Sequence, residues 1–298
     1  MSTISEPRDN QPPSWTLDIA GLRLSVAFDA VLPSRALDAR YAAYRVAAAP
    51  SMKVRVHWSD ADDESEGTEG DWPSARDDRG ERTRFARGVL VHRAPGRAGE
   101  IDVADGVADL RLTGARAAEH TDYFLRLCVA LLAVDADGLL LHAAGVVRDG
   151  VAYAFVGPSG SGKTTVARHS AGATLNDDLI VLRPGPTGWS AFSTPFSNPT
   201  QIAPSGPRWA PLGGIYRLVH APAAAIERVD AATAVADLVA SAPVVGLDPD
   251  RAARLMARAD AIVRAVPFGR LHCRPDPSFW PLIAPAPVPA DLPAFEPA

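Results

Sequence analysis

Residues 139–165 read LLLHAAGVVRDGVAYAFVGPSGSGKTT, and the fold of the second half of the chain follows from their order. Two apolar, β-prone runs flank Asp149-Gly150, a dipeptide suited to a two-residue hairpin turn because both of its positions need positive φ. With Asp149 and Gly150 as the turn, Arg148 faces Val151, and the pairing runs back until His142 faces Gly157. The second run ends in Gly157-Pro158-Ser159-Gly160-Ser161-Gly162-Lys163-Thr164, which fits the pattern G-x-x-x-x-G-K-[ST] at every fixed position. The glycines let the backbone curl so that successive N–H groups point at phosphate oxygens, and the helix that follows adds its positive end. Lys163 then reaches the β- and γ-phosphates, the Thr164 hydroxyl ligates magnesium, and Thr165 follows in the first helical turn. The expectation is a phosphate-binding loop for ATP with Mg2+.

Fourteen residues after Lys163, Asp177-Asp178 stands at the entry to a short apolar run, Leu179 to Leu182. Two adjacent carboxylates beside a magnesium ion can divide the work, one holding the metal and one taking a proton from an attacking hydroxyl. Asp178 is read as the base and Asp177 as the metal ligand, with the reverse division equally open. The plainer reading of Asn176-Asp177-Asp178 is a polar turn before a strand. His142 gains interest only from the hairpin register, which sets it beside the first glycine of the loop, where an imidazole can donate to a phosphate or tune the carboxylates. Without that register it reads as a core histidine. The other six histidines show no ligand spacing.

Outward from this block, the chain changes character near Ala115. Tyr123, Leu127, Ala130, Leu131 and Val134 recur at helical spacing, so the periodicity predicts a helix over 116–134. Before it, alternation predicts strands within Trp15–Leu32, Met52–Trp58, Gly88–His92 and Ile101–Leu112. Seven carboxylates in the twelve residues from Asp60 to Asp71 read as a solvated loop. After the phosphate loop, Lys163–Ser170 reads as helix, Trp189–Phe192 and Ile215–His220 as strands, and 230–241 and 248–264 as helices. The second of these helices is opened by Asp248 as N-cap and Pro249 as first residue. The Pro- and Gly-rich segment Thr194–Tyr216, with Arg208, Trp209 and Arg217, reads as a loop that could dock an acceptor. The domain reading is a tail over 1–13, a β-rich N-terminal domain over 14–115, a P-loop domain over 116–285 and a Pro-rich tail over 286–298, loose from about Pro281.

Composition bounds the partners. With 47% hydrophobic and 22% charged residues and a net charge of −5, the chain reads as globular, with no electrostatic case for nucleic acid or an anionic membrane. No apolar run reaches the roughly 18–20 residues a membrane span needs, and the first residues lack signal-peptide character. Two cysteines, Cys128 and Cys273, are too few for a disulfide framework, so the expected address is the cytoplasm. Of 30 basic residues only Lys53 and Lys163 are lysine, which fits a coding bias toward arginine and a loop that needs a compact ammonium.

The run LHAAGVV-x-DG-VAYAFVGPSGSGKTTVARH, followed by NDDLIVL and STPF, resembles the HPr kinase/phosphorylase family. More closely, it resembles the HPr-kinase-related proteins of bacterial gene clusters, some of which phosphorylate a serine of a precursor peptide. The resemblance covers about 120–285, with its specific motifs between 141 and 196. It implies an α/β, PEP-carboxykinase-like P-loop kinase domain beside the smaller β-rich domain. It also implies an active site of His142, Lys163, Thr164, Asp177 and Asp178, with a small protein or peptide as phosphate acceptor. The glycine- and arginine-rich segment that HPr kinases use to engage HPr is missing, so neither HPr nor the reverse phosphorolysis is implied. An ATPase and a non-catalytic nucleotide-binding module are the other readings, and a homo-oligomer is left open. An LSGGQ-like signature is absent, and the two-lysine count leaves no N-K-x-D motif for a GTPase.

Overall fold

Alternation decides the N-terminal strands. Trp15, Leu17 and Ile19 in β1 (Ser14–Ile19) and Leu22, Leu24, Val26 and Phe28 in β2 (Leu22–Phe28) are buried at every second position, as a sheet with one covered face requires. The computed structural model describes residues 13–30, 35–59, 81–170, 173–197, 202, 206–274 and 276–283, and over these the chain is mixed α/β with two sheets and a few helices. The expected tail over 1–13 (apart from Pro13), the tail over 286–298 and the acidic run 60–71 lie outside the described residues. The chain divides into two compact units, one of Met1–Leu17, Arg23–Leu37 and Arg45–Phe124, the other of Asp18–Leu22, Asp38–Tyr44 and Leu125–Ala298.

The first sheet adds β3 (Met52–Ser59), β4 (Arg82–Ala86), β5 (Val89–Ala94), β6 (Arg97–Asp102) and β7 (Val107–Thr113), in the order β1-β2-β3-β7-β6-β5-β4. β2 and β3 are parallel, so their connection must cross over, and α1 (Arg35–Tyr41) lies in that connection. β4 to β7 form an antiparallel meander. The single strand-like stretch expected over Ile101–Leu112 is two strands, because the chain turns at 103–106 with Gly106 at φ 63. A Cβ on Gly106 would come within 2.8 Å of the Ser51 carbonyl oxygen, so the turn needs glycine twice over.

The second sheet follows α2 (Ala117–Asp135), the helix expected over 116–134. It contains β8 (Leu139–Arg148), β9 (Val151–Val156), β10 (Ala173–Asn176), β11 (Leu179–Gly185), β12 (Gly188–Phe192), β13 (Trp209–His220), β14 (Ala225–Glu227) and β15 (Phe268–Cys273). The hydrogen-bonded order is β10-β8-β11-β12-β13-β15-β14, with β9 joined to both β8 and β13. The helices are α3 (Lys163–His169), α4 (Ala231–Val239) and α5 (Pro249–Ala265), the last capped by the Asp248 carboxylate, which accepts from Asp250 N–H at 3.2 Å. Every residue of β9 is buried. At roughly 1.5–3 kcal/mol for each large apolar side chain, this burial anchors β9, the strand that ends in the phosphate loop. Val166 and Ala167 on α3 pack into the cluster of Val146, Tyr153 and Phe155.

Two expectations need correction. Residues from Trp209 onward are not loop but the start of the twelve-residue β13. Trp209 stacks on Phe192 at 6.1 Å, and the Arg217 guanidinium pairs with buried Asp237. The remainder of that segment is described only at 194–197, 202 and 206–208. Pro281 does not begin a loose tail either. A 3-10 turn over Pro277–Leu282 buries Phe279 and Trp280, and Ile283 is also buried. Among the described residues no helix is long and apolar enough to cross a membrane.

Candidate functional site

The hairpin register is the one the turn dictates. Asp149 and Gly150 have φ of 50 and 77, Arg148 pairs with Val151, and the ladder continues to Ala143 opposite Val156. One step further, β9 has ended and Gly157 opens the loop. A Cβ on Gly157 would sit 2.7 Å from Ser161 Oγ, so the loop closes tightly over its own first residue. Gly160 and Gly162 take φ of 79 and 99, the left-handed region that β-carbon-bearing residues avoid. Ser161 N–H donates to the Pro158 carbonyl at 3.2 Å.

Lys163 lies inside this curl. Its ammonium donates to the Gly157 carbonyl at 2.8 Å and the Pro158 carbonyl at 3.0 Å, and the residue is 6% exposed. Burial pushes its pKa down, against the pull of the Asp178 carboxylate. Lys163, Thr164 and Thr165 form the first turn of α3, where backbone donors have no intrahelical acceptor. Thr164 and Thr165 are partly exposed, and Pro158, Ser159 and Gly160 are exposed.

Across β8 from the hairpin, β10 and β11 run as one antiparallel line interrupted at Asp177-Asp178. Asn176 pairs with Gly145 and Leu179 with His142, and Ala143 N–H donates to the Asp178 carbonyl at 2.9 Å. Asn176 fixes the interruption. Its side-chain oxygen accepts from Asp178 N–H (2.7 Å) and Leu179 N–H (3.0 Å), while its amide donates to the carbonyls of Phe196 (2.7 Å) and Thr194 (3.0 Å). The polar-turn reading of Asn176-Asp177-Asp178 is therefore correct as local structure, and the turn aims the next carboxylate at the histidine. Asp178 Oδ1 lies 3.4 Å from His142 Nε2, and Asp178 Oδ2 accepts from Arg126 at 3.0 Å.

These contacts gather His142, Asp178 and Arg126 beside the loop that holds Lys163. Among protein-family models and curated proteins nothing matches this chain. His142 is held below the ordinary histidine range by burial first, then by Lys163 and Arg126, with only Asp178 pulling upward. At neutral pH its ring is uncharged. Asp177 has a different partner. Its Oδ1 accepts from Ile202 N–H at 3.2 Å, and its buried Oδ2 has no partner among the described residues.

Three participants escaped the sequence reading. Arg126 on α2 is the only charged side chain between Tyr123 and Val134, and that isolation in an apolar run was the available signal. It also donates to the Ser197 carbonyl at 3.2 Å and lies over the Phe196 ring. Asn176 was read only as part of a turn. His220, at the end of β13, carries Nε2 3.1 Å from the Gly160 carbonyl, and nothing in its sequence neighbourhood marks it.

Proposed function

We propose that the chain binds ATP with Mg2+ at the loop 157–164 and transfers the γ-phosphoryl group to a hydroxyl, that of a serine in a small protein or peptide. The observation that carries this reading is the Arg126–Asp178–His142 cluster beside a buried P-loop lysine. An oriented carboxylate beside the phosphates can accept the proton of an attacking hydroxyl. The HPr-kinase-related family and its PEP-carboxykinase-like fold are part of the same proposal, supported by the motifs and by the mixed sheet that carries them.

The residues divide the work as follows. The 157–164 backbone and Lys163 hold the phosphates, with Thr165 in the same turn. Asp178, oriented by Arg126 and Asn176, accepts the proton of the acceptor hydroxyl as its oxygen forms a bond to the γ-phosphorus and the bond to the ADP oxygen breaks. Neutral His142 donates a hydrogen bond to a phosphate or to Asp178. Magnesium fits the donors present: the Thr164 hydroxyl and the unpartnered Asp177 oxygen would hold it, a hard cation that takes few protein ligands. When bound, it would neutralise phosphate charge.

The test is incubation with labelled ATP, magnesium and serine-containing candidate peptides, read by mass spectrometry. Label on a peptide serine is expected. Label released only as free phosphate, with every acceptor offered, assigns an ATPase instead.

A further inference from the structure

We propose that His220 is a positioning residue of the phosphate loop, its imidazole holding the Gly160–Ser161 peptide in the orientation that receives nucleotide phosphate. This role rests on the reading of 157–164 as the ATP site and adds a residue to which that reading gives no part.

Strand pairing puts His220 beside the loop. β13 runs parallel to β9, with Tyr216 opposite Phe155 and Arg217 opposite Val156. β9 ends at Val156, whereas β13 continues through Leu218 and Val219 to His220. A Cβ on Gly157 would lie 3.7 Å from the Leu218 carbonyl oxygen, so this extension passes the opening of the loop. On its other side the extension is held by β15. Leu218 pairs with Leu271, Val219 with His272 and His220 with Cys273, and Ala221 N–H donates to the Cys273 carbonyl at 3.1 Å. Side chains alternate along a strand, so His220 shares the face of Tyr216 and Leu218, which are buried in one cluster with Val166 and Ala167 of α3. The histidine therefore stands on the helix side of the sheet, on backbone fixed by strand pairing.

The peptide it holds is one that packing leaves free. Gly160 is exposed at φ 79, and a Cβ there would meet nothing within 4 Å. Glycine is permissive, with no side chain to fix the peptide plane that follows it. Two hydrogen bonds hold that plane instead. Ser161 N–H donates to the Pro158 carbonyl at 3.2 Å, back into the loop, while the Gly160 carbonyl, on the opposite edge of the same peptide, lies 3.1 Å from His220 Nε2. A carbonyl can only accept, so Nε2 carries the hydrogen, as it does both in the Nε2–H tautomer and in the imidazolium. A phosphate loop works by aiming N–H groups at phosphate oxygens. A carbonyl turned in among them would set its negative end against the phosphate. His220 draws that oxygen out toward β13, so the free loop has fewer arrangements to give up on binding.

The test compares full-length wild type with His220→Phe, which keeps a ring and loses the donor, and His220→Gln, which keeps an N–H donor. Hydrogen–deuterium exchange of the ATP-free proteins should be faster over 157–164 in the Phe variant and close to wild type in the Gln variant. Calorimetric titration of ATP with magnesium should show roughly three- to tenfold weaker binding by the Phe variant, the worth of one hydrogen bond, with most of the loss recovered by Gln. Melting temperatures of the three ATP-free proteins should agree within about 2 °C, as for ordinary surface changes, which separates a positioned loop from a structural histidine. Equal ATP affinity in wild type and the Phe variant overturns the role of His220 and leaves nucleotide binding by the loop intact. Unchanged exchange in the Phe variant, or equal weakening by Phe and Gln, overturns it too. A wild type that binds no ATP overturns the reading of the loop and this role with it.

Discussion

Replacing Asn176 with alanine removes the clamp that shapes the Asp177-Asp178 turn. Asn176 is 1% exposed, and its four shorter hydrogen bonds span 2.7–3.0 Å. Alanine leaves Asp178 N–H, Leu179 N–H and the carbonyls of Thr194 and Phe196 without their partner in the interior. At about 1 kcal/mol net per bond the loss is about 4 kcal/mol. For a unit of this size each kcal/mol lowers the melting temperature by roughly 2–4 °C, so a drop of about 8–16 °C is expected. Asn176→Asp keeps the acceptor but loses both donated bonds and adds a buried charge next to two carboxylates, so it should be no better at neutral pH. Urea unfolding with calorimetry measures both variants. Asn176→Ala within about 0.5 kcal/mol of wild type, the range of ordinary surface changes, would refute the account of the turn.

Three further outcomes are expected. Asp178→Asn should keep nucleotide affinity while turnover falls by roughly two to four orders of magnitude; full activity would reduce the aspartate to a turn residue. His142 has a folded pKa below its unfolded value of about 6.5, so it binds its proton less readily when folded. Its contribution to stability is present above that value and lost as pH falls through the folded pKa. His142→Gln should therefore show a shallower loss of stability between neutral and mildly acid pH, and equal slopes in the two proteins would contradict this. Tyr44 donates to Ser193 Oγ and is pushed up to about 12, chiefly by burial. Its stabilising contribution is present below the unfolded value of about 10 and lost as pH rises through the folded one. Spectrophotometric titration of Tyr44→Phe should thus lose absorbance only from the most alkaline part of the wild-type curve; a loss near pH 10 would contradict its burial.

What sequence revealed and what it hid have separate physical causes. The β8–β9 register was legible because a two-residue turn that demands positive φ leaves one pairing, and Asp149-Gly150 supplies that turn. The α2 and α5 boundaries were legible from periodicity and from Asp248-Pro249. The Arg126–Asp178 contact was not legible, since it joins residues 52 apart through helix packing rather than local pattern. β13 was read too short because Pro211, Gly213 and Gly214 look like loop. In the fold Pro211 pairs with Ser190, and the register against β9 shifts between Leu212 and Gly214; such an irregularity is where a sheet accommodates these residues. Adjacency told nothing of the different partners of the two aspartates: the Asp177 carboxylate meets Ile202 N–H, whereas Asp178 lies against His142 and Arg126.

The central claim, that the loop 157–164 binds nucleotide phosphate through Lys163, is tested most directly by calorimetric titration of ATP with magnesium into wild type, Lys163→Ala and Lys53→Arg. Lys163→Ala should weaken binding by roughly tenfold or more, the worth of a charge-assisted phosphate contact. Lys53→Arg, an exposed change on β3, should bind as wild type does. Equal affinity in wild type and Lys163→Ala would contradict the account at its base.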